Sequence, residues 1–324
     1  MTDKKVFVTG GAGFIGSTLI RQLVQQGYEV TVFDNLCSGM RDNIPKDGSV
    51  RLVTGDVRDI EMVTAVMKGH QYVIHLAAQA FIPVSYDLPV NIAEVNAVGS
   101  LNVFKACLDT AVERVIHISS SEVYGSAVYT PIDERHPTNP VSTYAVGKLA
   151  ADLWAQTMHF EHKLPVVVLR PFNTFGPRDT LPRFIPEMIR QCFKEPVIKT
   201  GDVSTFRDYT FVDDTCRAIA SALEVEGIEG ELINFGTGKA LMMKTILEMI
   251  KRETGNENKE VIEDASRLRP KDVSPLIAGN IKAYKLLGWK PEVEFAEGLQ
   301  KTISWYKDNG AAWSYEKYGW QWRY

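Results

Sequence analysis

Tyr144 and Lys148 stand four residues apart, just downstream of the run Ser119-Ser120-Ser121-Glu122-Val123-Tyr124-Gly125. On a helix, positions i and i+4 share a face, so this spacing sets an ammonium beside a phenol. A free phenol ionises near pH ~10. An adjacent cation stabilises the phenolate and moves that value toward neutrality. The pair therefore reads as a general base that can take a hydroxyl proton. Glu122 adds a carboxylate, which oxidation alone does not require.

A second group of residues is built to hold phosphate. Gly10-x-x-Gly13-x-x-Gly16 lies between an apolar β-branched run and a helical stripe. The first glycine permits a tight turn and the second lets backbone approach a pyrophosphate. The third lets the helix, which opens with Phe14 and Ile15, pack close to the sheet with its N-terminus toward the phosphates. Asp34, followed by Asn35, ends the next apolar run. A carboxylate there accepts hydrogen bonds from ribose hydroxyls and repels a 2′-phosphate, so NAD is expected over NADP. Arg41 lies nearby in sequence and tempers that preference. Asp56 and Val57 are expected near the adenine, and Leu76, Ala77 and Ala78 supply small residues where backbone must approach the cofactor.

These groups need a scaffold. Strands are expected at residues 5–9, 29–33, 51–54, 72–76, 114–118 and 166–169. Helices are expected at 14–26, in a segment ending near Asp109, and at 143–160. Strands alternating with helices of this length imply right-handed βαβ units on a parallel sheet. The expected class is α/β: a Rossmann-type, doubly wound parallel sheet with a smaller C-terminal α/β lobe. The division is expected at 1–170 and 171–324, where prolines begin to break the pattern, with 232–238 either returning to the first sheet or lying between the lobes. In open α/β sheets ligands bind beyond the carboxyl ends of the strands, so the second lobe is expected to cover that edge.

Composition sets limits. A net charge of −4 gives nucleic acid no electrostatic claim on the chain, and 45% hydrophobic with 23% charged residues is ordinary for a globular protein. Cys37, Cys107, Cys192 and Cys216 are scattered without metal-ligand spacing. They read as reduced thiols of a cytoplasmic protein, and no metal site is expected. No signal peptide or membrane span is expected. His75 and His117 sit in apolar strands and read as core, while His136, His159 and His162 lie in polar stretches that suggest no metal cluster.

The glycine pattern, Asp34, His75-Leu76-Ala77-Ala78, Asn96, Ser119-Ser120-Ser121, Tyr144-Ala145-Val146-Gly147-Lys148 and Arg170-Pro171-Phe172-Asn173 resemble the extended short-chain dehydrogenase/reductase family. Within it, the nucleotide-sugar epimerases and dehydratases are most similar, and the likeness runs on through Arg207-Asp208-Tyr209 and Leu287-Gly288-Trp289-Lys290-Pro291. The resemblance implies a nucleotide-diphosphate sugar as substrate and a redox-neutral cycle. Ser120 would hydrogen-bond the sugar 4-hydroxyl, and Tyr144 would take its proton while hydride leaves C4 for NAD+. Lys148 would lower the Tyr144 pKa and hold the nicotinamide ribose, and Asn96 is counted with the cofactor contacts. The 4-ketone so formed acidifies C5.

A glutamate at position 122 resembles the 4,6-dehydratases, where it abstracts the C5 proton and helps water leave C6. Ser121 departs from the Asp-Glu pair of dTDP-glucose dehydratases. The resulting Ser-Glu pair is closer to GDP-mannose and some UDP-N-acetylglucosamine dehydratases, and it leaves Glu122 to serve as both base and acid. The expected activity is 4,6-dehydration. A 4-epimerase is the alternative if Glu122 only caps its turn or pairs with a base. UDP-glucuronate decarboxylases and 4-keto-6-deoxy-sugar reductases share the loop, and a non-catalytic NAD-sensing binding protein is the reading from a different class. Gln79, Asn173, Arg207 and Arg269 are expected at the substrate with Ser120 and Glu122; a salt bridge to Asp208 or Asp213 is the other reading of Arg207. The helices around 97–109 and 143–160 are expected to form a homodimer interface, and the aromatic tail from Trp313 to Tyr324 to pack on the small lobe or a partner.

Overall fold

In a computed structural model of the chain, described over residues 4–268, 271, 273 and 275–309, β1 (Lys5–Thr9) shows how the sequence divides the core. Val6 and Val8 enter one hydrophobic cluster and Phe7 the other, because successive side chains of a strand point to opposite faces. The same alternation recurs in β5 (Arg114–Ile118), where Val115 and Ile116 part company, and in β6 (Val166–Pro171). A sheet buried on both faces needs near-continuous apolar strands, and these have them.

β2 (Glu29–Asp34), β3 (Val50–Thr54) and β4 (Tyr72–His75) join them. A short second set follows: β7 (Asn173–Phe175), β8 (Ile198–Thr200), β9 (Phe206–Phe211), β10 (Leu232–Phe235), β11 (Ala240–Met242) and β12 (Val261–Glu263). The main sheet has seven strands in the order β10-β6-β5-β4-β1-β2-β3, every pairing parallel. Chain order reverses direction between β1 and β4, and that switch point opens the crevice where α/β sheets bind ligands. The segment 232–235 is thus the seventh strand of the first sheet. The remaining strands form a three-stranded sheet, β11-β9-β7, and a two-stranded one, β12-β8.

Helix ends follow local chemistry. The helix Thr143–His162 starts at Ser142, whose hydroxyl accepts from the Ala145 amide at 3.2 Å, and ends at Lys163 in the left-handed region. It runs two residues beyond expectation. The expected helix ending at Asp109 is instead broken into Val84–Asp87, Pro89–Ala93, a π-helical turn Glu94–Gly99 and Ser100–Asp109. Pro89 lacks the N–H that would continue the first piece.

Asp208 ties the two sheets together. Its buried carboxylate accepts from the Thr237 and Gly238 amides, both at 2.8 Å, and from the Ala278 amide at 3.1 Å. Burial pushes its pKa up, and those hydrogen bonds pull against the rise.

Candidate active site

The ends of β1 and β4 open on a cavity of about 970 Å³, near the top of the ~300–1,000 Å³ typical of small-molecule sites. Gly10, at φ +73°, turns the chain out of β1, and a Cβ there would stand 2.7 Å from the Ala77 amide nitrogen. Only glycine lets β1 and β4 end this close together. Asp34 lies on the cavity wall and is buried. One carboxylate oxygen accepts from the Ala12 amide at 2.9 Å, the other from the Leu36 amide at 2.8 Å. Burial raises its pKa, and the two backbone donors work against that rise. The Arg41 guanidinium reaches Oγ1 of Thr54, the register partner of Asp34 on β3, at 3.4 Å, and Arg41 does not line the cavity.

Gly13, Phe14, Ile15, Gly16, Asn35, Val57, Leu76, Ala77, Ala78 and Gln79 line the same cavity. Two further expected cofactor residues are engaged by protein groups. Asp56 is engaged by Arg58, at 3.0 and 2.9 Å, and by Asn35 Nδ2 at 3.0 Å; the Arg58 hydrogen bond above all holds its pKa down to about 2. Asn96 is fully buried, and its amide brackets the Gln79 backbone, accepting from N–H at 2.8 Å and donating to C=O at 3.1 Å. It shapes the strand end and leaves the cavity wall to Gln79.

Ser120, Ser121, Glu122, Tyr144 and Lys148 converge on the cavity from two elements, the short 3₁₀ turn Ser121–Tyr124 and the helix Thr143–His162. The Ser120 hydroxyl lies close enough to the Tyr144 phenol to pull its pKa down, and it accepts from the Glu122 amide at 3.2 Å, which caps the turn. Lys148 departs from the simple pairing that spacing suggests. Its Nζ donates to the Ile118 carbonyl at 2.8 Å, and burial brings its pKa down to about 8, with Asp152 opposing the fall. The Tyr144 phenol is pushed up by burial, while Ser120 and then the charge of Arg183 pull it down. Position i+4 does bring the two side chains to one face, but the carbonyl at the end of β5 captures the ammonium.

Farther along, Asn173 and Arg207 line the cavity. The Arg207 guanidinium donates to the Phe206 carbonyl at 2.9 Å, and its neighbour Asp208 spends both oxygens on Thr237, Gly238 and Ala278. Arg269 and the aromatic tail lie outside the described residues. Arg183 and Arg267 also reach the cavity. The sequence offers Arg183 only within Pro182–Pro186, a stretch as suited to the core as to walling a nucleotide base, and Arg267 only within a stretch similar to the GDP-mannose dehydratases; neither stretch gives its arginine a role at the diphosphate. Arg183 pairs with buried Asp179 at 2.8 Å, and Arg267 with buried Glu187 at 3.1 Å. Among the described residues no group of His, Cys, Asp and Glu could hold a metal, and no helix is long and apolar enough to cross a membrane.

A parallel seven-stranded sheet, a glycine turn at its switch point and a Ser-Tyr-Lys set above it define the extended short-chain dehydrogenase/reductase class. The model of the family described as GDP-mannose 4,6 dehydratase matches residues 7–302, and the chain belongs to this family of nucleotide-sugar dehydratases and epimerases. A dTDP-glucose 4,6-dehydratase of Streptomyces niveus is 33% identical, over 95% of this chain and 94% of that one. A putative UDP-glucose 4-epimerase of Methanocaldococcus jannaschii is 31% identical, over 94% and 99%. Among solved structures, DesIV, a dTDP-glucose 4,6-dehydratase from Streptomyces venezuelae with NAD and TYD bound, superposes with a TM-score of 0.88 at 31% identity, over 96% of this chain and 99% of that one.

Proposed function

We propose that this protein is an NAD-dependent nucleotide-sugar 4,6-dehydratase. The observation that carries this reading is the division of labour in the Ser121–Tyr124 turn. Ser120 caps the turn, and Glu122 stands in the cavity wall beside Ser120 and Tyr144. Gly10, Gly13, Gly16 and Asp34 would hold NAD, with Lys148 toward its nicotinamide end; the tight glycine turn and the buried acid both suit that dinucleotide. When bound, NAD+ accepts hydride from C4 and gives it back at C6.

The chain's own residues move the protons. Tyr144 takes the 4-hydroxyl proton, and Ser120 hydrogen-bonds that oxygen. Glu122 removes the proton from C5, acidified by the new ketone, and passes it to the C6 hydroxyl, which leaves as water; once hydride reaches C6, a proton returned through Glu122 completes C5 and balances the one that Tyr144 took from the 4-hydroxyl. General acid–base help of this kind contributes about 10²–10⁴-fold. Asn173, Arg207 and Arg267 face the substrate diphosphate, whose oxygens match a guanidinium fork. The substrate lobe starts after residue 170, with 232–238 belonging to the first domain. We place the protein in the cytoplasm.

The test is incubation with UDP-, GDP-, dTDP- and CDP-hexoses without added reductant, reading product mass. Loss of one water that disappears in Glu122→Gln supports dehydration. The second reading, a 4-epimerase, is favoured by the likeness to the M. jannaschii protein over 99% of its length; a new isomer of unchanged mass would replace the first reading with it. We also propose a homodimer through the outer faces of the helices Ser100–Asp109 and Thr143–His162 and the turns before them. Val98, Val146, Leu153 and Trp154 are exposed there at helical spacing. Sedimentation at the mass of one chain would remove it.

A further inference from the structure

Beneath the Ser121–Tyr124 turn runs a chain of hydrogen-bonded buried polar groups that joins its two ends. Ser119, at the near end of the segment, donates its hydroxyl to Asp152 Oδ2 at 2.7 Å. Arg170 Nε donates to the same oxygen at 2.8 Å. Arg170 Nη1 donates to the Tyr124 hydroxyl at 2.9 Å, and the guanidinium also lies over the Tyr124 ring, 4.9 Å from its centroid. Tyr124, at the far end of the segment, donates in turn to Asn234 Oδ1 at 2.8 Å. Asn234 and Arg170 are register partners on β10 and β6, which is why a strand distant in sequence can extend the chain. Asn234 is itself held by its Nδ2 on the Ile132 carbonyl and its amide on Glu134 Oε1.

All of these side chains except that of Glu134 are buried, so each hydrogen bond acts in low dielectric and each lost partner leaves a polar group unsatisfied. Ser120, Ser121 and Glu122 sit between the two fixed ends. From this geometry we infer that Tyr124 is a positioning residue: with Arg170 and Asp152 it clamps the turn so that the Glu122 carboxylate is aimed at the reacting sugar. Tyr124 touches neither substrate nor cofactor, for its hydroxyl points into the core. The inference rests on the dehydratase reading, because that reading makes Glu122 the group whose aim matters.

Tyr124→Phe keeps the buried ring and removes only the hydroxyl. Misplacing a reacting group by about 1 Å can cost about 10²-fold, so turnover should fall about 10- to 100-fold. The substrate KM, NAD affinity and rapid reduction of the nicotinamide should stay near wild type, since Tyr144 and Lys148 are untouched. Reduced nicotinamide then accumulates because the C5 step lags. In a Glu122→Gln background the same change should add little, the signature of one residue acting through another; a merely structural loss would multiply.

Wild-type turnover in Tyr124→Phe, or equal losses in cofactor reduction and water loss, overturns the clamp alone. A wild-type protein that releases no water from any nucleotide sugar overturns the dehydratase reading and the clamp with it, before any variant is scored. Should Tyr124→Phe fail to fold, Ser119→Ala frees the other end of the segment and carries the same expectations.

Discussion

The two edges of the cavity are built differently. The edge proposed for the cofactor comes from short contiguous stretches at strand ends: residues 10–16 after β1, Asp34 at the end of β2 and residues 76–79 after β4. The edge proposed for the substrate takes Asn173, Arg183, Arg207 and Arg267 from four separate elements, and each arginine is tied to a protein group before any ligand arrives. Where chemistry is packed into one turn, a single atom in the wrong place should be decisive. Where it is spread over paired charges, single changes should be graded.

The largest effect is expected where both edges meet. Lys148→Met should lower turnover about 10²–10⁴-fold while the protein folds. It should also stabilise. Lys148 is buried and its pKa lies below the ordinary ammonium value, at about 8, so the folded state disfavours the charged form that the unfolded chain keeps up to pH ~10.4. The destabilisation in wild type is full below pH ~8 and fades as pH rises toward ~10.4. Melting curves of cofactor-free protein should therefore show a higher Tm for the variant near pH ~7 and little difference near pH ~10. A gain of equal size at both values would mean that burial of this charge is not the cause.

Gly16→Ala tests the cofactor edge next. The new Cβ would lie 2.4 Å from the Gly10 carbonyl oxygen and 2.7 Å from Gly11 Cα. Both are backbone, with no flexible side chain to give way, and overpacking of this kind costs about 1–3 kcal/mol. NAD affinity should fall about 10- to 100-fold in a fluorescence titration. Unchanged affinity would break the contrast between the edges.

The smallest effect is expected on the other side. Arg267 is about one-third exposed and already paired with Glu187. Arg267→Ala should raise the sugar-nucleotide KM about 3- to 10-fold, since a partly solvated charge contributes modestly, and leave kcat and NAD affinity alone. A collapse of kcat would place this arginine with the catalytic set and erase the distinction.

The same contrast explains what was legible in advance. The parallel strands could be read because burial on both faces demands runs such as Val-Phe-Val. The glycine turn and Asp34 could be read because strand, turn, helix and acid follow one another along the chain. Asp56 is expected at the cofactor from its place at a strand end, and Asn96 only from the family resemblance. In the structure Arg58 takes the first and the Gln79 backbone takes the second. Asp152 stands at i+4 from Lys148, the spacing that linked Lys148 to Tyr144, and could have been found by the same rule.

By itself, then, the sequence determined the sheet, the glycine turn, Asp34 and the Ser-Tyr-Lys-Glu set, since each depends on residues close together in the chain or on a hydrophobic period. Only the tertiary structure decided where charge goes once the sheet has closed. It delivered Lys148 Nζ to the Ile118 carbonyl and joined Asn234 to Tyr124 across 110 positions of sequence. It also set Arg183 against Asp179 and Arg267 against Glu187. The physical reason is that a buried polar group must find a partner, and which partner lies within reach is settled by strand order and register rather than by spacing along the chain.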